Sequence, residues 1–232
     1  MMFVYKEETE LKERLKTSGL FRLMQNAAGD QCELTGPTEK DIRSKNLMWV
    51  IVRQYVELSR YPQPGETLEL STWPGTPRHM FFPRFYIFRI DGEIIGRGSA
   101  LWTLVDRTSR KMISPASREI ELEGLVTGEE CRLPSAPVKL PRSRNGDFTV
   151  TAEVLDTNNH MNNTRYYDVA ESAFGEAVEG KELSCAVTEY VAEAREGDRL
   201  HLSWGAEEDR YYITGTAGEE KTVFRMSLEY KE

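Results

Sequence analysis

The run Leu155-Asp156-Thr157-Asn158-Asn159-His160-Met161-Asn162-Asn163 places a carboxylate, an amide and an imidazole at alternate positions. Together these groups can donate, accept and shuttle protons, which general acid–base chemistry requires. Each residue type also has an ordinary use: Asp156, Asn158 and Asn162 suit turns and helix caps, and His160 suits a surface. The flanking sequence sets the frame. Phe148 to Val154 alternates like a half-buried strand, and Tyr166, Tyr167, Val169, Ala170, Ala173, Phe174, Ala177 and Val178 recur at helical spacing. The polar run therefore falls at a predicted strand-to-helix corner, a place where rigid elements commonly present reactive groups.

Composition narrows the classes. The chain has 232 residues, 29% charged and 39% hydrophobic, which describes a globular protein with a sizeable core. No apolar run approaches the roughly 20 residues that span a bilayer. The stretch from Met1 to Leu15 is rich in Glu and Lys, unlike a secretory signal or a transit peptide. Cys32, Cys131 and Cys185 are odd in number and far apart, which predicts free thiols in a reducing cytoplasm. Neither the cysteines nor the three histidines show metal-ligand spacing, so no metal or other cofactor is expected. A net charge of −8 disfavours nucleic acid as a partner.

The chain reads as a tandem duplication. Gln54-Tyr55-Val56-Glu57-Leu58-Ser59-Arg60 followed by Gly65-Glu66-Thr67-Leu68-Glu69-Leu70-Ser71 parallels Glu189-Tyr190-Val191-Ala192-Glu193-Ala194-Arg195 followed by Gly197-Asp198-Arg199-Leu200-His201-Leu202-Ser203. Further on, Phe85-Tyr86-Ile87 with Asp91-Gly92-Glu93 parallels Tyr211-Tyr212-Ile213 with Ala217-Gly218-Glu219, each Gly-Glu pair marking a hairpin. One helical stretch precedes each set of strands: Leu20, Phe21, Leu23, Met24, Ala27 and Ala28 in the first half, and the run from about Asn163 in the second. The repeating unit is a helix followed by antiparallel strands, an α+β arrangement. The expected division is an N-terminal domain over 1–131, a proline-containing linker over 132–145, and a C-terminal domain over 146–232 carrying the reactive residues.

The two copies differ where chemistry would lie. Val56 and Leu58 share a strand face, and the aligned pair is Val191 and Glu193, so a carboxylate stands where the first copy has leucine. If that face is buried, Glu193 is desolvated and needs polar company, although a bulge near Glu189 would shift the alternation. The Asp156/Asn158/His160 run likewise has no counterpart in the first half. Both departures belong to the second copy, which favours one site built from both.

Other candidates are weaker. Gly98-Ser99-Ala100 lacks the closing glycine of a nucleophile elbow, and no phosphate-binding glycine loop is present. His201 alternates with Leu200 and Leu202 and reads as a polar residue on the opposite strand face. His79 lies in the aromatic and basic stretch from Arg78 to Arg84, a loop position that could also touch a substrate.

At these residues the chain resembles the plant-type acyl-acyl carrier protein (acyl-ACP) thioesterases and their bacterial relatives. The matching pieces are Leu155-Asp156-X-Asn158-X-His160-X-Asn162-Asn163 with Tyr166, Glu189-Tyr190 with Glu193, and, in the first half, Trp49-Val50 to Val56-Glu57, Arg60-Tyr61-Pro62 and Gly96-Arg97 to Trp102. The likeness implies two tandem hotdog domains, each a long helix wrapped by an antiparallel sheet. It also implies hydrolysis of a fatty acyl thioester on acyl carrier protein, with Asp156, Asn158, His160 and Glu193 as the catalytic set. Many plant members carry a cysteine directly after the glutamate; here that position is Ala194, so a thiol nucleophile is absent from it. The plant proteins also carry a targeting extension, and its lack here fits a bacterial cytoplasmic enzyme.

On this reading Glu193, its basicity raised by partial burial, takes a proton from water. Asn158 holds that water or the carbonyl oxygen, His160 serves the oxyanion or the leaving sulfur, and Asp156 orients the rest. Attack by a carboxylate itself remains open, as do an acyl-CoA substrate and a non-catalytic acyl-binding role. Acyl carrier protein is acidic, and either Arg107, Arg110 and Lys111 or Lys139, Arg142 and Arg144 could receive it. Met48, Trp49 and Ile51 are candidates to line an acyl pocket. A tandem pair could act as a monomer or a homodimer.

Overall fold

Short alternating runs broken by tight turns dictate most of the architecture. Asp91 and Gly92 both hold positive φ, +50° and +81°, the combination a two-residue hairpin between twisted strands requires. The structure, a computed structural model, describes residues 3–114, 120, 123–129, 131–218 and 221–232. Met1 of the amino-terminal run and Glu219 of the second Gly-Glu pair lie outside the described residues.

In chain order the elements are β1 (Tyr5–Glu10), α1 (Thr17–Thr35), α2 (Glu39–Ser44), β2 (Leu47–Leu58), β3 (Thr67–Pro74), β4 (Phe82–Ile90) and β5 (Glu93–Asp106). The second half follows with β6 (Arg144–Thr149), α3 (Arg165–Phe174), β7 (Glu182–Tyr190), β8 (Arg199–Glu207), β9 (Arg210–Ala217) and β10 (Lys221–Lys231). All ten strands join one antiparallel sheet in the order β1-β3-β4-β5-β2-β7-β10-β9-β8-β6. Read outward from the middle, the two halves are the same permutation of their own strands. Gly65 and Gly197, aligned in the sequence, take nearly equal φ of +89° and +86°.

The halves meet where β2 pairs with β7, from Arg53 opposite Glu189 to Glu57 opposite Cys185. Glu189 bridges the seam: Arg53 lies 2.5 Å from one carboxylate oxygen and Arg225 of β10 lies 2.6 Å from the other. These guanidiniums hold its carboxyl below the ordinary range despite an opposing desolvation. Above the sheet, Phe21 of α1 stacks on Tyr167 of α3 with ring centroids 3.9 Å apart. One apolar core therefore runs under both helices, from Leu20 and Met24 to Phe224 and Met226.

Two sequence expectations change. The strand expected from Phe148 to Val154 ends at Thr149, because Ala152–Val154 forms a 3-10 turn, and it begins earlier, at Arg144, inside the proline-containing connector. The face shared by Val56 and Leu58 is buried as expected, but its continuation past Tyr190 is not. Val191 N and Ala192 N both bond Val223 O, at 2.8 and 3.1 Å, and two donors on one acceptor end the alternation. Val191 is half exposed, and Glu193 belongs to the loop that follows rather than to a buried strand face.

Replacing Glu189 with Ala leaves two partly buried guanidiniums without their anion. We expect a loss of about 2 kcal/mol, from the usual worth of hydrogen bonds to charged groups. It should appear in urea as a lower midpoint with an unchanged slope.

Candidate active site

The polar corner is a closed loop. Leu155 and Met161 form an isolated bridge, Asp156 N donates to His160 O at 2.8 Å, and Asn159 takes φ +59° at the tip. Inside the loop, Asp156 Oδ1 accepts Asn158 N at 2.7 Å and His160 N at 3.4 Å. Asp156 is thus the residue that shapes the turn. Asn162 does what a cap does, its Oδ1 accepting Thr164 N at 2.9 Å at the start of α3.

A single backbone bond couples this corner to the loop after β7: Met161 N donates to Ala194 O at 2.8 Å. The residues immediately before those two are His160 and Glu193, and they face each other. His160 Nε2 stands 3.0 Å from Glu193 Oε2. The imidazole is buried while the carboxylate is 34% exposed, so Glu193 is partly buried among charges rather than sealed in an apolar strand face. What holds Glu193 is charge. Arg110 Nη1 donates to its Oε1 at 3.1 Å, and Arg195 lies 3.8 Å from Oε2.

Arg110 comes from the other half of the chain, on the turn after β5. Arg110 N donates to Asp106 O, and Arg110 itself sits at φ +57°. Asp106 Oδ1 accepts Thr108 N at 3.1 Å and Ser109 N at 2.8 Å, which stiffens that turn. Arg110 Nη2 also lies 3.5 Å from His160 Nε2, and Nη1 lies 3.3 Å from Met48 Sδ. The sequence placed Arg110 among residues for a surface dock, but its guanidinium turns into this cluster. The signal that could have found it is a tight turn, with a side-chain cap from Asp106, immediately after the last strand of the first half.

Burial lowers the His160 imidazole pKa below its ordinary 6.5. Glu193 and Asp156 oppose that effect, and Arg110 and Arg195 reinforce it. Burial thus favours the uncharged ring. Cys185 does not take part: it lies on β7 opposite Glu57, and burial pushes its thiol up to about 11. Ala194, the residue after Glu193, is fully buried. His201 faces solvent on β8 beside Asp147, and His79 is an exposed loop residue at φ +56°.

Asn158 contributes differently. Its residue lines a cavity of about 590 Å3 between the second half of α1 and strands β2, β4 and β5. Met48, Trp49, Phe82 and Trp102 form its apolar wall. Ile51, expected beside them, is buried in the main core instead. Asn158 of one half thus reaches the cavity of the other, whereas Asp156, His160 and Glu193 are not among the residues that line it.

Helix-on-sheet units in tandem, joined into one sheet, define a tandem hotdog protein with an acid–imidazole pair and an amide-lined cavity. The acyl-ACP thioesterase N-terminal domain family matches residues 2–120 and the corresponding C-terminal domain family matches 139–229. The chain belongs to the acyl-ACP thioesterase family. It is 28% identical over 164 residues, 66% of its own length, to acyl-[acyl-carrier-protein] hydrolase FATB2, chloroplastic, of Cuphea viscosissima. Identity with oleoyl-acyl carrier protein thioesterase 2, chloroplastic, of Arabidopsis thaliana is 24% over 215 residues, 84% of this chain. The chain spans 40% of the length of the first relative and 57% of the second. Among solved structures, an acyl-ACP thioesterase from Bacteroides thetaiotaomicron superposes with a TM-score of 0.81 at 20% identity, covering 98% of each chain. The 12:0-ACP thioesterase from Umbellularia californica gives 0.80 at 20% identity, covering 98% of this chain and 97% of its own. These superpositions establish the tandem hotdog fold. Among the described residues, no helix is long and apolar enough to cross a membrane.

With three histidines in the chain, ring titration by NMR can isolate His160 after His79→Gln and His201→Gln. It should titrate below 6.5. Arg110→Gln should move that value up by removing a cation, and Glu193→Gln should move it further down by removing an anion. Since protonation is disfavoured only in the folded state, the associated stability is complete above 6.5 and declines as pH falls through the folded value.

Proposed function

We propose that this protein hydrolyses fatty acyl thioesters carried on acyl carrier protein and so ends acyl-chain elongation, in a cytoplasmic setting consistent with three free cysteines. The observation that carries this reading is the placement of Asn158. It belongs to the same loop as His160 and lines the cavity that Met48, Trp49, Phe82 and Trp102 wall, so an acyl chain seated along that wall brings its carbonyl to the polar corner. Family membership supports the same conclusion.

The chemistry follows from the contacts. Thioester hydrolysis adds water to a carbonyl, expels a thiol, and needs one proton moved from the water to the sulfur. His160 and Glu193, 3.0 Å apart, form the store for that proton. Asn158 supplies an amide to the carbonyl oxygen as it gains charge. Asp156 positions the loop through its backbone bonds, and Arg110 fixes the carboxylate from the opposite half. We divide the chain accordingly into an N-terminal hotdog domain over 1–131, a linker over 132–145 and a C-terminal hotdog domain over 146–232. The first supplies most of the cavity, and the last supplies the proton-transfer pair.

Purified protein should release thiol from acyl-ACP faster than from the matching acyl-CoA; faster CoA turnover would assign the activity to the other carrier, and no turnover on either would end the proposal. Glu193→Gln and His160→Ala should each cost at least about 10²-fold in kcat. If the two act as one unit, the double variant should lose scarcely more than the worse single one. Cys185→Ala should leave turnover unchanged, and its loss with a retained fold would revive a thiol route.

A further inference from the structure

The cavity has a second polar end. Arg84 on β4 lines it and is 8% exposed. Its guanidinium donates to Gln31 Oε1 and contacts Thr72 Oγ1 at 3.4 Å and Cys32 Sγ at 3.5 Å, all of them neutral. Among the described residues no carboxylate lies within ion-pairing distance of it. A buried charge without a counter-ion carries a penalty of several kcal/mol. The three neutral acceptors engage three of the five N–H donors of a guanidinium and leave two.

Its position along the sheet gives this end a meaning. Arg84 pairs with Ala100 of β5, whereas Met48, which touches Arg110 at the reaction centre, pairs with Val105. Five residues of strand separate the two levels, roughly 17 Å. Phe82, Trp102 and Trp49 line the space between. Asn158 and Arg84 line the same cavity, so a chain whose carbonyl sits by Asn158 can extend its far terminus toward Arg84.

We propose that Arg84 recognises an oxygen-bearing acyl terminus, so that the preferred substrates are hydroxylated at or near the ω carbon. This rests on the reading of the cavity as an acyl site. A methyl terminus leaves guanidinium donors against hydrocarbon, where unmet polar groups are costly. A hydroxyl accepts from them. A carboxylate is the poorer match, because the lining sets Glu7, Asp30, Glu33, Glu39 and Glu123 against Arg43, Arg84 and Arg107 and so is net acidic.

Trp49 and Trp102 in the wall provide the readout. The full chain is titrated, by tryptophan fluorescence, with the methyl ester of an ω-hydroxylated twelve-carbon acid and with the methyl ester of the unsubstituted acid. The hydroxylated ester should bind at least about tenfold tighter, the worth of one well-made hydrogen bond to a charged group. Arg84→Met should erase that ratio, and Arg84→Lys should keep part of it. A merely structural tie between α1 and β4 would lower stability in both variants without moving the ratio. Equal affinities in the unaltered chain overturn the proposal even if Arg84→Met does not fold, and so does an advantage that survives Arg84→Met. Failure of both esters to bind overturns the acyl-cavity reading together with this one.

Discussion

The pairing of β2 with β7 is the constraint from which the site follows. It turns two separate sheets into one and fixes how far one half slides past the other. Past Arg53 opposite Glu189, β2 runs on to Met48 while the other strand turns into the loop that holds Glu193 and Ala194. Arg110, at the end of β5, lies beside Met48 and so meets Glu193 across the seam. The ion pairs around Glu189 lock this register, since a shift of one residue would carry that carboxylate to the other face of the sheet.

Within that frame the reactive groups are placed by short local bonds. Asp156 closes the loop that presents Asn158 and His160, and the Met161–Ala194 bond sets the height at which His160 meets Glu193. Glu193 can stay accessible to water because three cations or potential donors, rather than an apolar wall, hold its two oxygens. This balance suits a hydrolase in principle: the water must arrive, yet the carboxylate must not wander.

Much of this was legible in the residues. The repeated Tyr-Val and Gly-acid elements gave the tandem units, and alternation gave most strands. The Asp-X-Asn-X-His run gave the corner, and comparison between the copies singled out Glu193. The sequence reading failed where a local rule was overridden by hydrogen bonding. The bulge at Val191 and Ala192 carried Glu193 off the sheet, and the 3-10 turn at Ala152 cut short a strand that alternation extends. Arg110 escaped for another reason. Its partners are 50 and 83 residues away, so the capped turn could mark Arg110 as special without saying what it meets. The cavity is similar, since which of Met48, Trp49 and Ile51 faces it depends on an irregularity between Ile51 and Arg53.

A continuous sheet of ten strands has only two free margins, β1 and β6. Each is six residues long. Lys6, Glu8 and Glu10 point outward from one, and Arg144 and Asp147 from the other. Brief, charged borders are poor templates for another chain, because an incoming strand would have to bury those ions to complete its ladder. The joining of the halves thus also hides the two strands that would otherwise be the most adhesive, the long and largely apolar β2 and its neighbour β7, and leaves the molecule with margins that resist polymerisation.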